Sequence, residues 1–568
     1  MSIKKRWIAK PKPCDTVMAK LQDEVNTNDL LLMLMAQRNV TCLSEAEQYF
    51  LPTLKSLSSP FLMKDMDKAV ERIGRAIHDK EHILVYGDYD VDGTTSVALF
   101  YSFLMSFPAK VSFYIPDRFK EGYGISYQAI DWAAEQDIKL VIALDCGIKS
   151  LSHIDKANDM GIDFIICDHH TCGDEIPKAV AVLNPKRKDC DYPYKELSGC
   201  GIGFKLAEAF AEYSKLDWDP ESYLDLVAVS IASDIVPVTG ENRILAHYGL
   251  NKINSTPRAG LKALMEVAGV KKNMSISDLV FKIGPRINAA GRIAQGKFAV
   301  QMLIEKDIHK AKEYAQGIDV TNKERQSYDK DTTEEALGMI AESETLINSK
   351  TTVLFNGNWH KGVIGIVASR LIEKYYKPTI LLTESNGLAV GSGRSVQGYD
   401  LYQALSQCTD LIEQWGGHQA AAGLSIRMDK LEEFKARFEE VVCASITEDQ
   451  LAPVQEYDLE IPLSAITPSF CKSLERFGPF GPQNMRPVFV SRGVKCAFAP
   501  RIVGNNHLQL TLTNGEPQKQ PKYAIGFGMG EYFEALNRGK AFDICYCIEG
   551  DMFRDNYSAK LHLKEISF

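Results

Sequence analysis

Apolar and polar positions follow one repeating pattern over the middle of the chain. Short, continuous apolar runs alternate with longer stretches of helical spacing. His82-Ile-Leu-Val-Tyr86, Lys139-Leu-Val-Ile-Ala-Leu144 and Asp163-Phe-Ile-Ile-Cys167 are three such runs, and a helix-like stretch from Thr94 to Phe107 follows the first. Apolar runs without polar alternation fit strands covered on both faces, and strands alternating with helices predict a parallel α/β sheet. Residues 301–345 are charged and helix-rich, including Asn322-Lys-Glu-Arg-Gln326, and predict a connector helix. A second, glycine-rich α/β pattern occupies residues 346–448. After 449 the chain becomes strand-rich, with candidates at Val488 to Ala499, His507 to Thr513, Tyr523 to Gly528, Phe542 to Ile548 and Ala559 to Ile566. Five short strands suit a small OB-like β-barrel. The expected division is therefore 1–75 (helical and mixed, with no assigned chemistry), 76–300, 301–345, 346–448 and 449–568. A chain of 568 residues is in any case too long for one core.

The polar residues sit just beyond the apolar runs. The first strand runs into Gly87-Asp-Tyr-Asp-Val-Asp-Gly93, the second into Asp145-Cys-Gly147 and the third into Asp168-His-His170. A helix-like stretch from Ser222 to Ala232 ends in Ser233-Asp-Ile-Val-Pro237. In an open parallel sheet the C-terminal strand ends share one edge, where ligands bind. Asp88, Asp90, Asp92, Asp145, Asp168, His169, His170 and Asp234 should therefore converge. So many carboxylates repel one another unless cations intervene. The oxygen-rich set with imidazole suits Mn2+ or Mg2+ better than structural zinc. The number of ligands suggests two ions, which together could activate a water and stabilise a phosphoryl transition state. A lone acidic turn or a lone His-His pair is usually structural; four such motifs at four element ends are not easily accidental.

Composition narrows the picture. The net charge of −9 argues against a broadly basic nucleic-acid coat and leaves room for a local basic channel. The 13 cysteines form no disulfide-like framework and read as reduced thiols. Cys167 and Cys172 flank the His pair, but core thiols explain them better than zinc, and Cys545 and Cys547 share a strand pattern. No apolar run reaches membrane length, and the start lacks a secretory pattern, so a cytoplasmic protein without membrane association is expected.

These motifs resemble those of the DHH phosphoesterase family, and most closely its RecJ-type single-stranded-DNA exonucleases. Pro116-Asp-Arg-Phe-Lys-Glu-Gly-Tyr-Gly124, Arg286-Ile-Asn-Ala-Ala-Gly-Arg292, Trp359-His-Lys-Gly-Val-Ile-Gly365 and Ser392-Gly-Arg-Ser395 extend the resemblance. Gly416-Gly-His-Gln-Ala-Ala-Ala-Gly423 resembles the signature of the accompanying DHHA1 domain, and Gly478-Pro-Phe-Gly-Pro-Gln-Asn484 resembles the entry to the OB-like domain. Gln483-Asn-Met485 departs from the expected Gly-Asn-Pro; the loop is expected to lie far from the metals. The resemblance implies a DHH domain, a DHHA1 domain joined by a long helix, and an OB-like domain. It implies that Asp90 holds one metal, that Asp92, His169 and Asp234 hold the other, and that Asp145 bridges. Asp88 belongs to the catalytic set with an open role. His170 could ligate, contact the scissile phosphate or act as general acid. Asp168 would orient a histidine.

Substrate contacts are expected from Arg118, Arg286, Asn288, Arg292, Ser392, Arg394, Gly416, Gly417 and His418, because arginine and glycine N–H groups suit phosphate. Base stacking in the OB-like module has Phe489, Tyr523, Phe527 and Phe553 as candidates, although alternating aromatics also suit a barrel core. The implied activity is 5′-to-3′ hydrolysis of single-stranded DNA in repair and recombination, with single-strand-binding protein and a helicase as partners by analogy. The rivals are a phosphoesterase acting on short RNA or cyclic dinucleotides, and a non-catalytic replication scaffold of the same fold.

Overall fold

The computed structural model describes residues 5–568 apart from 119, 272, 294–295, 515–520, 538 and 554–555, and apart from the side chains of 293, 551–553 and 556–558. The chain divides into two compact units: Pro13–Asn322 with Ser473–Arg486, and Met1–Lys12 with Lys323–Lys472 and Pro487–Phe568. The expected connector is one helix, Ile308–Ala341, whose residues are divided between the two.

The first unit is built on a five-stranded sheet. Its spatial order is Lys110–Tyr114, His82–Gly87, Ile138–Leu144, Asp163–Cys167, Ala181–Leu183, with every pairing parallel. In chain order this reads 2-1-3-4-5. The strand order therefore reverses between His82–Gly87 and Ile138–Leu144, and such a switch point opens a crevice at the strand C-termini. Ile83, Val85, Leu140 and Ile142 pack toward one buried helical layer, and Leu84, Tyr86, Val141 and Ala143 pack toward the other, so both faces are covered. This accounts for the absence of polar alternation in these strands. Helix Val91–Leu104 is almost wholly buried, from Val91 to Phe100 without a break.

The second unit holds two larger sheets. One is mixed, in the order Gln414–His418, Ala421–Arg427, Leu388–Arg394, Thr379–Ser385, Thr352–Phe355; only the last pair is parallel. The other contains all five expected strands, as Val488–Cys496, His507–Thr513, Lys522–Gly526, Phe542–Phe553 and Asn556–Ser567, with Leu459–Glu460 and Arg501–Val503 added. Lys495↔Thr513 and Cys496↔Leu512 join the first of the five strands to the second, in addition to its pairing with Phe542–Phe553. Within the segment read as helical and mixed, Arg6–Ala9 forms a strand parallel to Val454–Tyr457. All 13 cysteines are free thiols; Cys167, Cys545 and Cys547 are buried in strands, and no cysteine joins a possible metal group among the described residues.

Close helix packing generates one prediction. A Cβ at Gly249 in helix Gly240–Ser255 would lie 2.2 Å from the Leu224 carbonyl oxygen and 2.5 Å from the Ala228 Cβ of helix Leu224–Ser233. Glycine to alanine in a free helix stabilises by about 1 kcal/mol. Here overpacking costing about 1–3 kcal/mol should reverse the sign. Gly249→Ala is expected to lower the thermal midpoint; an unchanged or higher midpoint would refute this packing.

Candidate active site

The acids converge as their positions at strand ends require. Asp88 follows strand His82–Gly87 and is fully buried, as is Asp145 after Ile138–Leu144. Both therefore lie at the switch point. Gly93 and Gly199 make room for them: a Cβ at Gly93 would sit 2.3 Å from the Asp88 carbonyl oxygen, and one at Gly199 2.8 Å from Asp145 Oδ1. Asp90 caps helix Val91–Leu104, accepting from the Gly93 N–H at 3.0 Å.

Asp92 is the best-anchored carboxylate. The Gly199 and Cys200 N–H groups donate to Oδ2 and Oδ1 at 2.7 and 2.8 Å, and the Ser230 hydroxyl donates to Oδ1 at 2.7 Å. Those amides open helix Gly199–Ser214, so its N-terminus helps hold the negative charge. The sequence pattern alone assigns these supporting groups no role. Ser198 followed by glycines at 199, 201 and 203 is the available signal for a helix start closely approached by another group.

His169 lies at the centre. Its Nε2 is 3.2 Å from Asp145 Oδ1, 3.5 Å from Asp234 Oδ2 and 3.7 Å from Asp92 Oδ2. Yet among the described residues neither ring nitrogen finds a hydrogen bond of good geometry, and neither do the Asp88 oxygens, although the Tyr89 and Gly124 amides lie near Asp88. Buried polar atoms without partners are rare and call for an explanation such as an ion. Asp92, His169 and Asp234 offer one compact ligand set, and Asp145, His169 and His170 another. Oxygen-rich donors with one or two imidazoles fit a hard divalent cation.

Electrostatics point the same way. Burial, then the neighbouring carboxylates, push Asp145 well above the ordinary carboxylate range. Burial, then Asp90, does the same to Asp88. Burial, with Asp92 next, raises Asp234 to about 8. Burial lowers the His169 pKa and favours the neutral, ligating imidazole. Asp168 differs. Burial, the largest single effect, would raise it, but the hydrogen bonds and charge of His170 together with the Ile148 amide outweigh it and hold Asp168 low. It accepts from His170 Nδ1 at 2.7 Å, the His170 N–H at 3.0 Å and the Ile148 N–H at 2.9 Å. Asp168 thus orients His170, whose Nε2 meets the Tyr123 hydroxyl at 3.1 Å. Tyr123 stands within one of the motifs quoted above, but its sequence context gives it no role. Asp145 has φ +61° and Ile235, beside Asp234, has φ +58°. Left-handed backbone in non-glycine residues costs about 1–2 kcal/mol each.

The basic candidates separate into groups. The Arg118 guanidinium lies over the Tyr89 ring, 5.1 Å from its centroid, beside the acidic loop. Arg286 is committed to Asp319 at 2.9 Å and to the Lys282 carbonyl at 2.7 Å, which makes it structural. Asn288 and Arg292 are one turn apart on helix Gly284–Ile293. In the second unit, the rungs His418–Ala421–Arg394 and Gly416–Gly423–Ser392 place Ser392, Arg394 and His418 on one sheet face. A Cβ at Gly416 or Gly423 would touch nothing, whereas one at Gly417 would lie 2.4 Å from the Ala421 carbonyl oxygen. Arg394 donates to Ser392 Oγ and the Gly393 carbonyl, both at 2.8 Å, and has no carboxylate partner among the described residues. Burial presses its pKa down. A Cβ at Gly365, in the first turn of helix Ile364–Tyr375, would lie 2.9 Å from both Arg394 Nη2 and Ser392 Oγ. Beside it in sequence, His360 stacks on Tyr328, with ring centroids 5.1 Å apart. A guanidinium without a counter-ion, a hydroxyl and open glycine backbone suit an anionic ligand.

Of the stacking candidates, Phe489 is fully buried against Phe470 and Tyr546 and belongs to the core. Tyr523 and Phe527 are exposed, with Lys560 near the first and His507 and His562 beside the second. The Phe553 side chain lies outside the described residues.

A carboxylate–histidine cluster at the switch point of a parallel sheet is the arrangement of the DHH class, and the comparisons agree. Three family models match: the DHH family, N-terminal domain, at 82–231; the DHHA1 domain at 348–444; and the RecJ OB domain at 457–565. The chain is 36% identical to the single-stranded-DNA-specific exonuclease RecJ of Bacillus subtilis (strain 168), over 96% of this chain and 68% of the relative. It is 32% identical to the same-named protein of Escherichia coli (strain K12), over 94% and 95%. The crystal structure of RecJ in complex with Mn2+ from Thermus thermophilus superposes with a TM-score of 0.84 at 25% identity, covering 99% of this chain and 79% of that one. The chain belongs to the RecJ family.

Stability should report the ion directly. Without metal, the folded state holds protons on Asp88, Asp145 and Asp234 that the unfolded chain has already released above the ordinary carboxylate range. Stability therefore falls as pH rises from that range toward about 8, the Asp234 value. EDTA-treated protein should melt at progressively lower temperature across this window, and saturating Mn2+ should remove the trend. Asp145→Asn should raise the metal-free midpoint near the top of the window and abolish the Mn2+-induced shift. A metal-free midpoint that is flat with pH would contradict this account of the site.

Proposed function

We propose that the chain is a divalent-metal-dependent exonuclease that hydrolyses phosphodiester bonds of single-stranded DNA from the 5′ end, in DNA repair and recombination. The observation that carries this is the cluster of Asp88, Asp145 and His169, with buried, unpartnered polar atoms at the switch point, in a chain of the RecJ family. The preferred ions are Mn2+ or Mg2+, and Mn2+ is present in the Thermus relative's structure. When bound, they would supply Lewis-acid stabilisation of the phosphoryl group and lower the pKa of a water.

The residues have separable tasks. Asp92, His169 and Asp234 form one ligand set; Asp90 serves a second position, and Asp145 stands between them. The His170 imidazole, held by Asp168 and touching Tyr123, is placed to contact the scissile phosphate or to move a proton at Nε2. Ser392, Arg394, His418 and the open glycines hold the terminal phosphate. Tyr523, Phe527 and Lys560 offer stacking surface and charge to the strand. Asp88, Asp90, Asp92, Asp145 and Asp234 all stand in place, which argues against a non-catalytic scaffold. The OB-like module argues for a long polymer over a dinucleotide. A cytoplasmic setting and association with single-strand-binding protein and a helicase complete the proposal.

The deciding experiment measures nucleotide release with Mn2+ from a 5′-phosphorylated 40-mer, its duplex and a dinucleotide. Release from the single strand alone supports the reading; equal or faster cleavage of the dinucleotide refutes it. Polarity generates a further prediction. A terminal phosphate carries more charge than an internal diester, so Arg394→Ala should lower kcat/KM by about ten- to hundredfold on 5′-phosphorylated strands and less on 5′-hydroxyl strands. Equal losses would make Arg394 a general backbone contact. Joint substitution of Tyr523 and Phe527 by alanine should weaken 40-mer binding by about 1–3 kcal/mol per lost stacked base, at matched salt, without altering metal dependence. Unchanged affinity would remove these rings from the strand path.

A further inference from the structure

The loop that follows Asp234 is held by a segment from much later in the chain. Asp234 caps helix Leu224–Ser233, and Ile235 then adopts φ +58° and is 64% exposed. A β-branched residue in left-handed backbone is strained, and such conformations persist only where the surroundings over-determine them. Ile235 itself packs on little, so the restraint must come from the residues after it. On one side, the Pro237 carbonyl accepts from Asn242 Nδ2 at 3.0 Å and from the Tyr194 hydroxyl at 3.2 Å. On the other, the fully buried Val238 donates its N–H to the Pro482 carbonyl at 2.8 Å. A Cβ at Gly481 would lie 2.4 Å from Val238 Cγ2, so only glycine allows this approach.

The partner segment is itself firmly built. Asn484 is buried; its Nδ2 donates to the Phe477 and Pro479 carbonyls at 3.0 and 2.9 Å, and its Oδ1 accepts from Tyr49 at 2.8 Å and Arg38 at 3.1 Å. Arg243 donates to the Gly478 carbonyl at 2.7 Å, and Arg38 to the Met485 carbonyl at 2.9 Å. Gln483, where the family pattern has glycine, takes φ +58°. Ser473–Arg486 belongs to the catalytic unit, and its Pro482 carbonyl accepts from Val238, four residues after Asp234.

We infer that Ser473–Arg486 is a positioning brace for Asp234, acting through the contact of Gly481 and Pro482 with Val238. The inference rests on the reading of Asp234 as a metal ligand in the proposed nuclease. Gly481 and Val238 carry no side-chain group that could ligate an ion. Their effect should fall on metal affinity and turnover, and not on strand binding.

The test uses the full chain carrying Gly481→Ala, which adds one methyl at the contact. Mn2+ affinity is measured by calorimetry, and the half-activating Mn2+ concentration and KM on a 5′-phosphorylated strand by assay. Mn2+ affinity and half-activation should weaken about tenfold or more, as for other residues that orient metal ligands. KM for the strand should stay within about threefold of wild type, and Val238→Ala combined with Gly481→Ala should return Mn2+ affinity to within about threefold of Val238→Ala alone, because the cavity accepts the new methyl. Wild-type Mn2+ affinity in folded Gly481→Ala, or a double variant no better than Gly481→Ala, overturns the brace. Should Gly481→Ala not fold, amide exchange on the wild type decides: a protected Val238 N–H supports the brace, and free exchange overturns it. If the wild type binds Mn2+ but releases no nucleotide, the proposed activity fails, while the calorimetry still judges the brace.

Discussion

Mutual repulsion among buried carboxylates is the constraint on which the catalytic unit depends. Asp88, Asp92 and Asp145 are withdrawn from water at one strand edge, with Asp234 close by. Like charges at such distances in a low-dielectric setting cannot all remain ionised without compensation. Among the described residues, Asp92 receives the most compensation of these four, through two backbone amides and a hydroxyl. The others are left to share protons or a cation. The fold thus concentrates electrostatic stress at one point and leaves it available to a ligand, while the covered sheet and its helices supply the rigidity that keeps the acids from separating.

Three kinds of support meet at that point. Glycines at 93 and 199 let backbone and carboxylates approach more closely than any side chain would allow. Asp168 fixes His170 through ring and backbone together. Pro482, from much later in the chain, holds Val238, four residues past Asp234. These supports are of different chemical types, but each removes freedom from a group that could ligate or transfer a proton, which is what preorganisation requires.

Much of this was legible in the sequence. Unbroken apolar runs ending in acids specify a parallel sheet with its ligand edge, and the four acidic or histidine segments meet where that edge predicts. The rest was hidden for physical reasons. The amides that hold Asp92 carry no side-chain signature, and only the run of glycines after Ser198 hints at them. Period-two alternation identifies strand Val488–Cys496 but does not say which face is inward, so Phe489 was open to reading as a stacking platform until its burial was seen. Arg286 looks like a phosphate contact until its Asp319 partner, on a different helix, is known. The approach of Gly481 to Val238 depends on tertiary packing between segments far apart in sequence, which no local pattern records.

The bare glycine face beside Ser392 and Arg394 separates two requirements that usually coincide. At Gly249 or Gly417 the fold itself crowds a side chain, so a substitution there announces itself as lost stability. At Gly416 and Gly423 the surrounding protein is indifferent, because added atoms would meet only solvent. If the proposed terminal phosphate is held here, a side chain at those two positions would be felt by that ligand alone. A survey of folded, soluble variants would pass alanine at both sites without comment, and any intolerance would surface only when the arriving molecule was supplied. That silence toward folding makes the two positions a reporter of ligand shape, unmixed with stability.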